Sequence, residues 1–221
     1  MCNQQVLFIM KNVLVVNMKL SYPPLLWRNR MSYKIIALFG QSGAGKDTLL
    51  DAIMELNCPF EMNKIITTTT RPPRDYETDG IEYHFVSAEE FGEKILNGDM
   101  LEATSFNNWF YGTTIHDVKE NVVNVGVFSP KAITCLLDDP RLDVLPIFVW
   151  ASDKSRLLRQ LNREQQPDCF EICRRFITDN EDFYDIPFSY KRIENNSDDL
   201  DWMVSAPFEA AFIHLIEDKL G

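Results

Sequence analysis

The feature that most constrains this chain is a glycine-rich stretch, G-Q-S-G-A-G-K, at residues 40–46. It follows the apolar run 34–39 and precedes a helix-like segment, 48–54. Glycines admit positive φ and carry no Cβ, so successive backbone N–H groups can converge on one concavity. The following helix adds free N–H groups and the positive end of its dipole, and Lys46 adds a mobile charge. This context predicts a phosphate-binding loop rather than a tight turn with an accidental lysine.

One position departs from the usual loop pattern. Asp47 stands where such loops carry Ser or Thr, whose hydroxyl ligates Mg²⁺. A carboxylate can also contact Mg²⁺ or its waters, so Asp47 is the candidate metal contact, and Thr48 can take part of the hydroxyl role. The predicted ATP-binding residues are Gly40, Gln41, Ser42, Gly43, Ala44, Gly45, Lys46, Asp47 and Thr48.

Length and charge limit the number of domains and the classes of function that this chain can have. The 221 residues suit one α/β domain with sub-lobes, or at most two small domains. A net charge of −11 argues against a nucleic-acid-coating protein, which needs a basic face, so clustered Lys and Arg must meet any anionic substrate. Five scattered cysteines suggest reduced thiols in the cytoplasm.

Residues 1–30 do not match the rest of the chain. Lys11 and Asn12 split their apolar residues into pieces far shorter than the ~20 residues that span a bilayer. The arrangement of basic and small residues does not fit a signal peptide. We therefore expect an extension outside the fold, with the functional domain covering residues 31–221 and beginning at Met31, and we expect no membrane association.

The rest of the chain alternates between strand and helix patterns. Apolar runs without alternation, such as 121–128 and 142–150, are typical of buried parallel strands, and helices between them imply right-handed crossovers. Smaller β segments suggest an inserted lobe. The predicted strands are 34–39, 63–70, 82–86, 100–106, 109–113, 121–128, 142–150 and 190–195. The predicted helices are 48–54, one starting at 87–91 with a Ser87–Glu90 capping box, 152–185 with a break near 166–168, and 200–220.

Several separated motifs together resemble the guanylate kinase family. They are G-Q-S-G-A-G-K, T-T-T-T-R-P-P-R, G-I-E-Y-H-F-V-S, L-E-A-T-S-F and W-F-Y-G-T, in that order, and the resemblance runs from about Lys34 to about Leu200. It implies an α/β P-loop NTPase three-layer fold with a parallel central sheet, an inserted GMP-binding lobe at about 67–120 and a helical lid at about 155–185. The implied activity is phosphorylation of GMP or dGMP by ATP with Mg²⁺.

The resemblance also assigns the acceptor site. Two guanidinium groups and two phenols can grip a monophosphate through charge-assisted hydrogen bonds. A carboxylate can accept both guanine N1–H and N2–H₂, a donor pair that adenine lacks. Ser129 stands where the family usually has an Asp-x-Asp, and we interpret its hydroxyl as a substitute base contact. The implied GMP-binding residues are Thr67, Arg71, Arg74, Tyr83, Glu102, Tyr111, Thr113 and Ser129.

Arginines of the 152–185 segment resemble the family's lid arginines. Arg159 and Arg163 share a helix face at i, i+4 spacing, and Arg174 or Arg175 joins them. Phosphoryl transfer depends mostly on positioning and on cations around the transferred group. The candidate catalytic residues are Lys46, Arg159, Arg163 and Arg175, whereas a solvated basic helix explains Arg156 about as well.

Two alternatives to a guanylate kinase stay open at this point. One is a non-catalytic interaction module of the same fold, which need not keep the loop lysine or the lid arginines. The other is a kinase of the same fold with a different phosphorylated acceptor, against which Glu102 and Thr67 argue. The expected partners are small nucleotides, with the chain as a monomer or homodimer.

Overall fold

The structure is a computed structural model that describes residues 33–74, 77–106, 108–163, 166–196 and 206–220. The predicted extension 1–30 lies outside the described residues. The strands are β1 Tyr33–Phe39, β2 Met62–Lys64, β3 Thr68–Thr69, β4 His84–Phe85, β5 Met100–Phe106, β6 Trp109–Thr114, β7 Val123–Val127, β8 Leu142–Trp150 and β9 Lys191–Glu194. The helices are α1 Lys46–Glu55, α2 Ala88–Leu96, α3 Pro130–Asp138, α4 Asp153–Asn162, α5 Cys169–Asp182 and α6 Ala206–Leu220.

The larger sheet is parallel and forms the centre of the molecule. Among the described residues its strand order is β2-β7-β1-β8-β9, and every pairing is parallel. Residues 35–39 of the central strand β1 are fully buried because both faces of the sheet are covered, which explains a run without polar alternation. One apolar cluster joins the sheet to α1 and α6, and a second joins it to α3. The predicted three-layer α/β fold is confirmed.

The smaller sheet has the order β4-β3-β6-β5 in the described chain, with β6 antiparallel to β3 and β5. Helix α2 packs on it through Phe91 and Ile95, and its capping box of Ser87 and Glu90 is present as predicted. The prediction of a single strand over 63–70 is wrong. Met62–Lys64 pairs with β7 in the large sheet, whereas Thr68–Thr69 pairs with β6 in the small one. A β-branched run predicts extended backbone but carries no information about its partner.

The segment predicted to be helical over 152–185 forms α4 and α5, with the break near 166–168 confirmed. The side chains of Ser152 and Asp168 cap the two helices by accepting backbone N–H groups. Helix α6 begins at Ala206. In the described ranges, no helix combines the length and the apolar character needed to cross a bilayer.

Candidate active site

The glycine-rich loop connects the end of β1 to the start of α1. A Cβ on Gly40 would collide with the carbonyl oxygen of Val149 on β8, because the chain passes directly over that strand. Gly43 has φ 79° and packs against α4, where an added Cβ would lie 2.6 Å from the carbonyl oxygen of Arg156. Glycine is therefore required at both positions, because the loop backbone approaches β8 at Gly40 and α4 at Gly43.

Lys46 opens α1 and folds back over the loop. Its Nζ donates to the carbonyl oxygen of Gln41 at 3.1 Å. Burial lowers the pKa of the Lys46 ammonium group, and the nearby carboxylates of Asp47 and Asp179 oppose this effect. Asp47 and Thr48 are exposed in the first turn of α1.

A second cationic cluster lies on the small sheet and the turn after β3. The guanidinium group of Arg71 sits over the ring of Tyr83, with 5.2 Å from Cζ to the centroid, and the ring of Tyr111 lies 6.2 Å from that of Tyr83. Glu77 bridges the arginines. Its carboxylate accepts from Arg71 at 2.8 Å and lies 3.6 Å from Arg74. Burial acts to raise the pKa of Glu77, but the hydrogen bonds from Arg71 and Arg74 and the charges of both arginines together outweigh it, so the pKa is lowered.

The turn that carries Arg71 is held by side chains that the sequence did not single out. The hydroxyl of Thr69 donates to the carbonyl oxygen of Phe110 at 2.9 Å and accepts the N–H of Arg71 at 3.1 Å. The hydroxyl of Thr70 accepts the N–H of Phe110 at 2.9 Å. These bonds fix the turn to β6. The only sequence signal for them was the run of four threonines before the arginine.

Glu102 is a buried carboxylate with incomplete hydrogen bonding. Its Oε1 accepts from the hydroxyl of Thr113 at 2.9 Å, while Oε2 is buried and has no hydrogen-bond partner. Burial raises the pKa of Glu102 to about 7 against the bond from Thr113. An orphaned buried carboxylate oxygen is costly and calls for a donor that the folded chain does not provide.

The remaining predicted base-site residues lie on neighbouring segments. Thr67 is half-buried just before β3, and its carbonyl oxygen accepts the N–H of His84. Ser129 is the N-cap of α3, where its Oγ accepts the N–H of Ala132 at 3.2 Å. Capping uses the oxygen as acceptor and leaves the hydroxyl proton able to donate.

The loop and the arginine–tyrosine cluster approach each other. The pKa of Tyr83 is raised to about 12, first by burial and then by the negative charge of Asp47. A carboxylate has such an effect only at short range in partly buried surroundings. Asp47, in the first turn of α1, is therefore close enough to Tyr83 for its charge to act on the phenol.

Comparison with known proteins decides the family. A sequence model described as guanylate kinase matches residues 32–205. The chain belongs to the guanylate kinase family. The guanylate kinase of Malacoplasma penetrans is 34% identical over 135 residues, which cover 58% of this chain and 67% of the relative. That of Frankia casuarinae is 38% identical over 104 residues, covering 47% and 52%.

The matched segments thus span about half to two thirds of the length of these curated relatives. A solved guanylate kinase from Anaplasma phagocytophilum has a TM-score of 0.58 and 20% identity, covering 86% of this chain and 89% of that one. This likeness shows that the guanylate kinase family member described here shares the fold of that enzyme.

The predicted lid arginines of this guanylate kinase family member occupy two environments. Arg159 on α4 donates to the carbonyl oxygen of Gly43 at 3.4 Å, and the charge of Arg163 is close enough to lower the pKa of Lys46. Arg174 and Arg175 on α5 both donate to Glu171, each from Nε at 2.7 Å. The bond from Arg174 contributes most to a pKa of Glu171 of about 2.

Arg156 overturns one interpretation made from the sequence. A solvated basic helix was one of the explanations left open for Arg156, but its side chain is fully buried beneath the loop. It pairs with Asp179 at 3.0 Å and with Asp153 at 3.1 Å, and Nε donates to the carbonyl oxygen of Ser42 at 3.1 Å. Sequence reasoning missed Asp179 altogether, because an acidic residue on an amphipathic helix usually faces solvent.

Proposed function

We propose that the protein transfers the γ-phosphoryl group of ATP to GMP or dGMP by in-line displacement. The observation that carries this proposal is Glu102, a buried carboxylate with one unpartnered oxygen, on the strand that pairs with the strand of Tyr111. Guanine offers two adjacent N–H donors to such a carboxylate. A base without them leaves the charge unpaired, which costs far more than losing an ordinary contact.

In this proposal the acceptor phosphate binds to Arg71, Arg74, Tyr83 and Tyr111. Glu77 now neutralises both arginines, so an arriving phosphate dianion competes with one carboxylate for the same guanidinium donors. Thr67, Thr113 and Ser129 line the base side of the cleft in the same proposal. Thr113 is supported by its bond to Glu102, which fixes the carboxylate plane.

The loop residues 40–48 would hold the triphosphate of ATP, with Lys46 on the β- and γ-phosphates. Arg159 and Arg163, together with Arg175, would surround the transferred group and offset its charge. In that role Arg175 would use its Nη donors, since its Nε now donates to Glu171.

Mg²⁺ suits the residues present. The described chain contains no group of three or more His, Cys, Asp or Glu arranged around a cation. Mg²⁺ delivered with ATP needs little protein, since it keeps several waters and uses one or two carboxylates plus the phosphates. Asp47, exposed in the first turn of α1, offers one such carboxylate, and the ion would offset phosphate charge. We further propose a cytoplasmic role in purine nucleotide metabolism, consistent with the four described cysteines, none of which forms a disulfide.

The test is ADP release from ATP and Mg²⁺ with GMP, dGMP, AMP, UMP or dTMP as acceptor. We expect turnover with GMP or dGMP and at least about a hundredfold lower kcat/KM with AMP. Glu102→Gln should abolish most of that preference, whereas Glu93→Gln, an exposed change on α2, should preserve it. Binding of GMP without any ADP release would instead indicate an interaction module. Turnover with a non-guanine acceptor alone would refute the base site.

A further inference from the structure

Ser42, in the middle of the glycine-rich loop, has both its backbone N–H and its carbonyl oxygen bonded to one ion pair, formed by the fully buried Arg156 and the partly buried Asp179. Its N–H donates to Oδ2 of Asp179 at 2.6 Å, and its carbonyl oxygen accepts from Nε of Arg156 at 3.1 Å. The same Oδ2 accepts from Nη2 of Arg156 at 3.0 Å, so the three groups form a closed ring. Oδ1 of Asp179 adds a longer contact from the hydroxyl of Ser42 at 3.3 Å.

This ring connects three separate parts of the chain. Ser42 belongs to the loop, Arg156 to α4 and Asp179 to the C-terminal half of α5. The next residue of α5, Asn180, accepts from Nε2 of Gln41 at 3.2 Å and adds a second bond to the loop. Arg156 is fully buried, with its guanidinium group 4.4 Å from the ring centroid of Phe176 on α5. A buried cation tolerates little displacement, so it resists separation of the helices from the loop.

The geometry points to Asp179 as a positioning residue that sets the loop for the triphosphate and fixes α5 to it. Asp179 lies four residues after Arg175, so both occupy one face of α5. The face that contacts the loop is therefore the face that presents Arg175. This inference rests on the proposed function for the identity of the nucleotide, although Asp179 touches neither nucleotide.

The opposite interpretation is that the carboxylate occupies an anion site and competes with phosphate. The two interpretations predict opposite changes in ATP affinity when the Asp179 carboxylate is removed. A positioning carboxylate strengthens ATP binding, whereas a competing carboxylate weakens it. Direct binding of ATP, without GMP, separates them.

The experiment compares four variants of the full chain by calorimetric titration with Mg²⁺-ATP and, separately, with GMP. We expect Asp179→Ala to weaken ATP binding about tenfold or more, the scale of one charge-assisted hydrogen bond, with GMP binding within about twofold of wild type. Asp179→Asn retains an acceptor for the Ser42 N–H and should recover most of the loss. Asp182→Asn removes a charge from the same helix, at an exposed ion pair with Lys131, and should change neither affinity.

Asp179→Ala leaves Arg156 with a weaker set of partners, so a folding defect must be separated from a loop defect. The double variant Arg156→Met/Asp179→Ala replaces the buried pair by apolar groups, a change that proteins often tolerate. It should melt near the wild-type temperature and still bind ATP weakly. Deuterium uptake at the loop peptide should rise in both variants, because the Ser42 N–H loses its acceptor.

Three results would overturn the inference. They are tighter ATP binding in Asp179→Ala, equal weakening of ATP and GMP binding, or wild-type ATP affinity in the double variant. A wild-type protein that binds ATP but never phosphorylates GMP would refute the proposed function. The test of Asp179 could still be interpreted, because ATP binding is measured without GMP.

Discussion

Lys46 shows how one side chain depends on the loop around it. Its ammonium group is partly desolvated and rests on the carbonyl oxygen of Gln41, so it is placed before any phosphate arrives. We predict that Lys46→Ala lowers kcat about 10²–10³-fold, as for loss of one preorganised donor to developing charge. The measurement is ADP release with GMP, alongside circular dichroism. Lys64→Ala, which removes a surface pair with Asp51, is the matched control and should keep full turnover.

Glu102 makes stability depend on pH. Its pKa rises from 4.5 in the unfolded chain to about 7 in the fold, so the native state binds the proton more tightly between these values. Stability therefore falls as the pH rises from about 4.5 to about 7 and then levels off. At about 1.4 kcal/mol for each tenfold change in the dissociation constant, the cost above pH 7 is on the order of 3 kcal/mol.

Glu102→Gln should remove that cost. We predict that urea unfolding at about pH 8 shows the variant to be more stable than wild type, and that the difference shrinks towards about pH 5. The exposed change Glu93→Gln should show no such pH trend. An equal difference at both pH values would mean that the Glu102 carboxyl is neutral or solvated in the fold. A binding site is expected to lower the stability of the ligand-free protein when the substrate supplies the hydrogen-bond donor that a buried carboxylate lacks.

Helix α2 depends on its N-cap residue, Ser87. Ser87 accepts the N–H of Glu90 at 3.1 Å, and the carboxylate of Glu90 accepts the N–H of Ser87 at 2.8 Å. We predict that Ser87→Ala destabilises the protein by about 1 kcal/mol, measured by urea unfolding, because the Glu90 N–H loses its acceptor and the reciprocal capping box is broken. Ser87→Asp keeps a capping oxygen and should cost a few tenths of a kcal/mol at most. Equal losses in both variants would mean that the cap does not stabilise the helix.

The sequence predicted elements well where a local signal sufficed. The strand–loop–helix unit, the Ser87 cap and the break between α4 and α5 all follow from glycines, caps and a proline within a few residues. The prediction failed where a strand or a charged side chain has a partner that is distant in the sequence. The β-branched run over 63–70 divides between two sheets, and the buried pair of Arg156 and Asp179 joins residues 23 positions apart on two helices. Single charges on amphipathic helices look solvated until their packing is known.

In the proposed function, the whole molecule places two cationic sites on either side of one cleft. The large sheet positions the glycine-rich loop, and the small sheet positions Arg71, Tyr83 and Tyr111. The chain carries a net charge of −11, so these local cations, rather than the overall field, must attract polyphosphate. A ligand that carries both nucleotides should therefore contact both sites at once.

A dinucleotide in which adenosine and guanosine are joined by a polyphosphate chain tests this arrangement. We predict that it binds about 10²–10⁴-fold more tightly than ATP, because the second site is engaged at high effective concentration. Lys46→Ala and Arg71→Ala should each weaken it, and the double variant should lose most of the gain, as followed by calorimetry. Diadenosine polyphosphate is the matched control, since its second adenine cannot satisfy Glu102. If only one of the two substitutions mattered, the loop and the arginine–tyrosine cluster would not serve a common ligand.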